Sequence, residues 1–159
     1  MSAPQEPTLE LVTAATDEVR ELVAELDVAL SGPYLPAQHH ALSLDELFAD
    51  NVRFFAARVD GLPVGCGGVA FYDGFAEVKR MYTRPAARGR GVATAILRRL
   101  EHEARGNRYS LLRLETGMYQ AEALAFYSRE GFERCDAFGL YTSLSPQAIE
   151  TSVFFEKTI

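Results

Sequence analysis

EVKRMYTRPAARGRGVATAILRRLE, Glu77 to Glu101, reads as a strand, a glycine-rich turn and a helix. Gly89 and Gly91 mark the turn. After it, Ala93, Ile96, Leu97, Leu100 and Ala104 recur at helical spacing and form one apolar stripe. Between Val78 and Leu100 stand seven Lys or Arg and no Asp or Glu, in a chain of formal charge −6. Nine of the sixteen basic residues remain to face twenty-two acidic ones. The positive charge is therefore local. It suits a small anionic ligand better than a nucleic acid, and no nucleic-acid partner is expected.

A helix N-terminus presents unpaired backbone N–H groups and the positive end of the helix dipole. Glycines ahead of it let a ligand approach the backbone, so an anion site is a physical expectation at RGRGVA. The arginines would add charge-assisted hydrogen bonds. Three other readings of this turn fail. A Walker loop needs Gly-Lys-Ser/Thr, which is missing. A dinucleotide fingerprint needs a third glycine where Thr94 stands. RNA-binding arginine-glycine segments are disordered and repetitive, whereas this one opens a periodic helix.

Outward from this stretch, NVRFFAARVDGLPVGCGGVAFYDGFAEVKRMYT predicts three strands in an antiparallel meander, turned at Asp60-Gly61 and Asp73-Gly74. TLELVTA predicts a first strand. TDEVRELVAELDVAL predicts a helix with Val19, Leu22, Val23, Leu26 and Leu30 on one face, ended by SGPYLP. SLDELFA predicts a short second helix with a Ser43–Glu46 capping box. Beyond the Ala93 helix come the strand YSLLRLET, the helix QAEALAFYSRE ended by Gly131, and strands in FERCDAFGLY and SVFFEKTI. The strand after the Ala93 helix should run parallel to the one before it. The fold class expected is mixed α/β, a largely antiparallel sheet with helices on both faces. Residues 1–159 are expected to form a single domain.

The two cysteines, Cys66 and Cys135, have no metal-ligand spacing, and no metal is expected. MSAPQEPTLELV lacks the features of a signal peptide, and no apolar run is long enough for a membrane helix. The expected setting is cytoplasmic, with no membrane partner. A homodimer is an open option.

Arg88-Gly89-Arg90-Gly91-Val92-Ala93 fits [Gln/Arg]-x-x-Gly-x-[Gly/Ala], and QAEALAFYSREGF resembles Asn-x-x-Ala-x-x-[Leu/Phe]-Tyr-x-x-x-Gly-Phe. With FAEVKRMYT before and LRLET between them, these motifs resemble the GNAT superfamily of N-acetyltransferases over roughly Phe54 to Phe132. The resemblance implies a splayed parallel strand pair, and acetyl-CoA as acyl donor and co-substrate. Its pyrophosphate would lie on Arg88, Gly89, Arg90, Gly91, Val92 and Ala93, and its pantetheine arm along Met81, Tyr82 and Thr83. Gln120, standing where the family usually has Asn, would offer the same amide on a longer arm.

The resemblance also implies a catalytic pair. Glu77 resembles the family's glutamate base, and Tyr127 the tyrosine that protonates the departing thiolate. Period-two alternation would put Glu77, Lys79 and Met81 on one face. A backbone N–H near Met81 would polarise the thioester carbonyl. The acceptor would be a small-molecule or peptide amine. SGPYLPAQHH and YTSLSPQAIETS would shape its site, with Tyr34, His39, His40 and Tyr141 as candidates. Two functions fit: an N-acetyltransferase acting on a primary amine, and a non-catalytic acyl-CoA-binding module.

Overall fold

The computed structural model describes residues 5–30 and 32–159. Residues 1–4, and Ser31 in the stretch expected to end the first helix, lie outside it. Strands β1 (Thr8–Val12), β2 (Val52–Val59), β3 (Leu62–Phe71), β4 (Ala76–Thr83), β5 (Leu111–Gly117), β6 (Glu133–Arg134) and β7 (Ser152–Thr158) form one sheet in the order β1-β2-β3-β4-β5-β7-β6. Every pairing is antiparallel except β4 with β5. The four principal helical segments are α1 (Asp17–Leu30), α2 (Val92–Gly106), α3 (Ala121–Arg129) and the one-turn α4 (Pro146–Ile149).

Alternate residues of β2 serve opposite faces. Phe55 and Ala57 pack with Ile96, Leu97 and Leu100 of α2 and Tyr127 of α3. Phe54 and Ala56 pack with Val19, Leu22 and Val23 of α1. The helical stripes expected from the sequence are the buried ones; Ile96, Leu97, Leu100 and Ala104 are all fully buried. The Asp60-Gly61 turn has both residues at positive φ, 53° and 77°, as a tight two-residue hairpin requires.

Two elements depart from the reading above. SLDELFA forms its capping box, Ser43 N donating to Glu46 Oε1 (3.1 Å) and Glu46 N to Ser43 Oγ (3.2 Å). The helix nevertheless stops after a 3₁₀ turn, Glu46–Phe48, because Ala49 is extended and β2 begins at Val52. In FERCDAFGLY only Glu133–Arg134 is strand. Phe138 and Tyr141 turn inward onto Phe75 and Phe154, an aromatic cluster that period-two alternation cannot build. α4 was not expected, although its signal is plain: Ser145 caps it, accepting from Ala148 N, and Pro146 opens it.

The sheet is broken at one place. β4 and β5 pair only at Ala76–Leu112 and Glu77–Arg113. Beyond that β4 runs on to Thr83 and β5 to Gly117, with no further pairing among the described residues. The register between β3 and β4 slips by one between Cys66 and Gly68, so that Arg80 and Met81 stand opposite Gly67 alone. Arg80 takes φ +57° in this bulge. A left-handed conformation costs a non-glycine residue about 1–2 kcal/mol. Arg80 is held there by its own side chain, Nε donating to Leu42 O (2.9 Å) and a guanidinium nitrogen meeting Asp27 Oδ1 (2.5 Å), while Cys66 Sγ donates to its carbonyl (3.4 Å).

Candidate active site

The gap between β4 and β5 is the waist of a cleft of about 720 Å³. At one end lies the turn into α2. The first backbone hydrogen bond of α2 runs from Ala95 N to Gly91 O (3.0 Å). The amides of Val92, Ala93 and Thr94 therefore have no helical acceptor. Gly89 and Gly91 sit at φ +76° and +78°, conformations that glycine adopts without strain, and open space lies where their side chains would stand. Arg88, Gly89, Gly91, Val92 and Ala93 line the cleft with Met81, Tyr82, Thr83 and Gln120. Arg90 is exposed and does not line it. An anion-binding turn leading to an unpaired strand edge fits a pyrophosphate with an amide-bearing arm.

The basic run proves to be mostly neutralised. Lys79 pairs with Glu77, Arg80 with Asp27, Arg84 with Glu25, Arg98 with Glu130 and Arg99 with Glu103. Arg88 lies 3.8 Å from the exposed Glu122. Only Arg90 of the seven has no ion pair among the described residues. The concentration of basic residues thus serves mainly to fasten β4 and α2 to acids elsewhere. Attraction for an anion falls to the backbone turn, to Arg88 and to Arg90.

The other end of the cleft is assembled from distant segments. The two loops expected to shape an acceptor site are stitched together: Gln38 Nε2 donates to Gln147 O (3.2 Å), and His40 Nε2 lies 2.7 Å from Ala148 O. A carbonyl can only accept, so Nε2 of His40 carries a proton. Tyr34 lies over Gly117, where a side chain would collide with its ring, and Tyr34 Oη accepts from Tyr119 N (3.1 Å). Tyr34, Gln38, His39 and His40 line the cleft, and so do Lys79, Glu115 and Thr151. Tyr141 stands behind them in the aromatic cluster.

The bulge overturns one expectation. Glu77 and Lys79 share a face, but the extra residue at Arg80 reverses the alternation, and Met81 packs on the α2 side with Val78. Glu77 is buried and does not line the cleft. Tyr141 Oη donates to its carboxylate at 2.7 Å, and Lys79 Nζ lies 3.0 Å from the same oxygen. Lys79 also donates to Tyr141 Oη (2.8 Å) and to His40 O (3.3 Å). Burial and the adjacent Glu77 carboxylate push the Tyr141 phenol far above its ordinary value.

Tyr127 lines the cleft from α3, on the face of the sheet that Ala76 and Val78 share and opposite to Glu77. Burial pushes its phenol well above its ordinary value, so it keeps its proton throughout the working range of pH. The residue that the sequence reading missed is Glu115, one position beyond Leu114 on β5. Leu112 and Leu114 are buried toward α2, so strand alternation points Glu115 to the acceptor face. Its carboxyl is held above its ordinary value by burial, opposed by the charges of His40 and Lys79 and by the neighbouring Ser152 hydroxyl. The signal available was LRLET itself, in which Arg113 and Glu115 alternate with buried leucines.

The Acetyltransferase (GNAT) family matches residues 12–132. An IAA acetyltransferase of Azospirillum brasilense is 41% identical over 145 residues, covering 90% of this chain and 92% of its own. A solved structure assigned as an acyl-CoA N-acyltransferase of Klebsiella pneumoniae is 34% identical, with a TM-score of 0.75 over 96% of this chain and 97% of that one. A GNAT acetyltransferase of Elizabethkingia anophelis, solved with acetyl-CoA bound, is 17% identical and shares the fold at a TM-score of 0.70, covering 96% of this chain and 98% of its own. A splayed strand pair beside a glycine turn could be reached by more than one lineage, but matches of this extent could not: this chain belongs to the GNAT family of acetyltransferases and is an acyltransferase.

Proposed function

We propose that the protein transfers an acetyl group from acetyl-CoA directly to a primary amine. The observation that carries this reading is one continuous cleft, which runs from the α2 turn through the strand gap to the acceptor face. Acetyl-CoA would supply the acetyl group as a thioester, whose C–S bond breaks as the new C–N bond forms. The free amides at the start of α2 bind anionic oxygens, and the unpaired edge of β4 from Val78 to Thr83 offers hydrogen bonds to an extended arm. A backbone N–H at the Met81 bulge polarises a carbonyl. Tyr127 holds a proton for a leaving thiolate. Glu77 keeps Lys79 and Tyr141 in position from behind the cleft wall.

Direct transfer is preferred over a covalent route because neither cysteine lines the cleft. Burial pushes the Cys66 thiol up to about 12, and Cys135 follows β6 outside the site. Both are free thiols, which suits a reducing compartment, and the setting we infer is the cytoplasm. No helix among the described residues is long and apolar enough to cross a membrane.

The test is release of the CoA thiol from acetyl-CoA in the presence of a panel of primary amines, with IAA, the compound in the Azospirillum relative's name, assayed separately beside them. Amine-dependent release with formation of the N-acetyl product is expected. Release at the same rate without any acceptor would reduce the protein to a thioesterase and end this reading.

A further inference from the structure

Among the described residues, three other than glycine take a positive φ: Asp60 at 53°, Arg80 at 57° and Arg108 at 67°. Asp60 opens the turn between β2 and β3, and Arg108 follows α2, both places where the chain reverses. Arg80 stands inside a strand. It is the first of the two bulge residues that face Gly67. Glycine is the usual residue at a left-handed bulge position. An arginine there is strained, and such strain persists only where the surroundings over-determine it. Here they do. Nε donates to Leu42 O, a guanidinium nitrogen meets Asp27 Oδ1, and Cys66 Sγ donates to the Arg80 carbonyl. Across the bulge, a Cβ on Gly67 would stand 2.8 Å from Met81 Sδ, so only glycine leaves room for that side chain. The Arg80 side chain is 5% exposed and that of Asp27 58%. The guanidinium is withdrawn from water and depends on its partners.

The held carbonyl fixes the direction of the next amide. In a trans peptide the C=O and the following N–H point opposite ways, and no described peptide bond is cis. The Arg80 carbonyl points back to Cys66 on β3. The Met81 N–H therefore points away from β3, toward the gap where β5 has ceased to pair. Met81 has a ladder partner on neither strand. We propose that Arg80 is a positioning residue for acetyl transfer, locking the Arg80–Met81 peptide so that the Met81 N–H meets the thioester carbonyl. The proposal rests on the acetyltransferase reading above. As the amine nitrogen bonds to the carbonyl carbon, the C=O electron pair moves onto oxygen, where this N–H donates to it. The pair returns as the C–S bond breaks, the thiolate takes the Tyr127 proton, and the amine gives up its own to water. Arg80 itself exchanges no proton. A glycine could form the same bulge, but it could not tie the bulge to α1 and to the loop that carries Tyr34 and His40.

The test uses acetyl-CoA isotopically labelled at the acetyl carbonyl carbon and reads the infrared stretch of that carbonyl when bound. Wild type should lower the stretch relative to free acetyl-CoA, as a hydrogen bond does. Arg80→Ala should return it most of the way to the free value. In that variant kcat toward the fastest amine of the panel should fall about 10²-fold. Arg80→Gly should recover about tenfold of the loss, because glycine reaches φ +57° without strain. Asp27→Asn changes the anchor at an exposed residue without touching β4, and should lower kcat several-fold. CoA affinity by calorimetry should be unchanged in all three. A lower thermal midpoint with an unmoved carbonyl stretch would make Arg80 a stabilising residue only and overturn the proposal. Equal losses in Arg80→Ala and Arg80→Gly would also overturn it, because they would show the guanidinium acting on a ligand. Either result leaves the acetyltransferase reading intact. A wild type that binds no acetyl-CoA, or acetylates no amine, would overturn that reading and this proposal with it.

Discussion

At one end of the cleft the ligand-facing groups are mostly backbone amides of a single short turn; at the other they are side chains from Tyr34 to Thr151. The turn needs only the right φ angles and a helix to follow. Gly89 and Gly91 supply the former, and the apolar stripe of α2 the latter. The acceptor end needs β4, β5, the loop after α1 and α4 all in place. It is tied by long-range hydrogen bonds such as Gln38–Gln147 and Lys79–Tyr141. Consecutive amides form a site that suits one kind of ligand, because every residue carries the same N–H. Gathered side chains form a site that can be remade for a new acceptor without disturbing the donor end. The difference is where a family can share a cofactor and diverge in substrate.

The largest effect should come from Tyr127, which stands between the two ends. Tyr127→Phe removes one oxygen and keeps a buried ring packed on Phe132 and Phe155. The rate of acetyl transfer should fall ~10²–10⁴-fold with CoA affinity held. The loss should shrink with an aryl acetate donor, whose leaving group needs no proton. Equal losses for thioester and aryl ester would make Tyr127 a packing residue only.

Next comes Glu77→Gln, directed at the acceptor end. It strands Lys79 beside Tyr141 without its anion, and breaking a buried pair costs about 3–5 kcal/mol. At about 2–4 °C per kcal/mol for a chain of this size, thermal denaturation should show a clear drop. Any acid limb set by Glu115 should persist and move to lower pH, because the Glu77 charge that helps to raise that carboxyl is gone and Lys79 is left unpaired beside it. A limb lost in this variant, at unchanged thermal stability, would make Glu77 the base.

The donor end should answer more mildly. Gly91→Val forces a β-branched residue to φ +78°, a strain of about 1–3 kcal/mol, relieved by reshaping the turn. CoA should bind tenfold or more weakly. Arg90→Ala should cost only a few-fold and lose its effect at high salt, because the side chain is exposed. Comparable losses from the two changes would mean that side-chain charge, and not backbone geometry, holds the anion.

The smallest effect is on stability and opposite in sign. The carboxyl of Glu115 is raised in the folded protein, so the native state binds its proton more tightly than the unfolded chain does. Stability must then fall as pH rises through that range, and the cost of the bare carboxylate is present in full above the folded pKa. Glu115→Gln should therefore raise the thermal midpoint at neutral pH, with the gain vanishing in acid below the unfolded value. A lower midpoint at neutral pH would mean that the Ser152 hydroxyl and the charges of His40 and Lys79 outweigh the burial of Glu115.

Much of the donor end was legible in the chain. The strand, turn and helix of Glu77–Glu101 fall where spacing put them, and β4 and β5 are parallel as the intervening helix implied. Less of the acceptor end was. Tyr34 and His40 were candidates, but nothing in the spacing of LRLET singled out Glu115, and the basic run read as local positive charge when six of its seven members have acidic neighbours. Ion pairs between Arg84 and Glu25, or Arg80 and Asp27, span more than fifty residues, and spacing holds no record of them.

By itself the sequence determined most of the elements, their order and the glycine turn that opens α2, because helix periodicity, tight turns and the amides of a helix start depend on neighbours within a few residues. Only the tertiary structure decided which carboxylate opens on the cleft. Local alternation put Glu77 beside Met81. The bulge at Arg80, held by Asp27 and Leu42 from the α1 side, reversed the faces, and the packing of Lys79 and Tyr141 closed over Glu77. A side chain's orientation follows from local geometry, but its access to a ligand follows from everything packed around it, and that is a sum over residues remote in the chain.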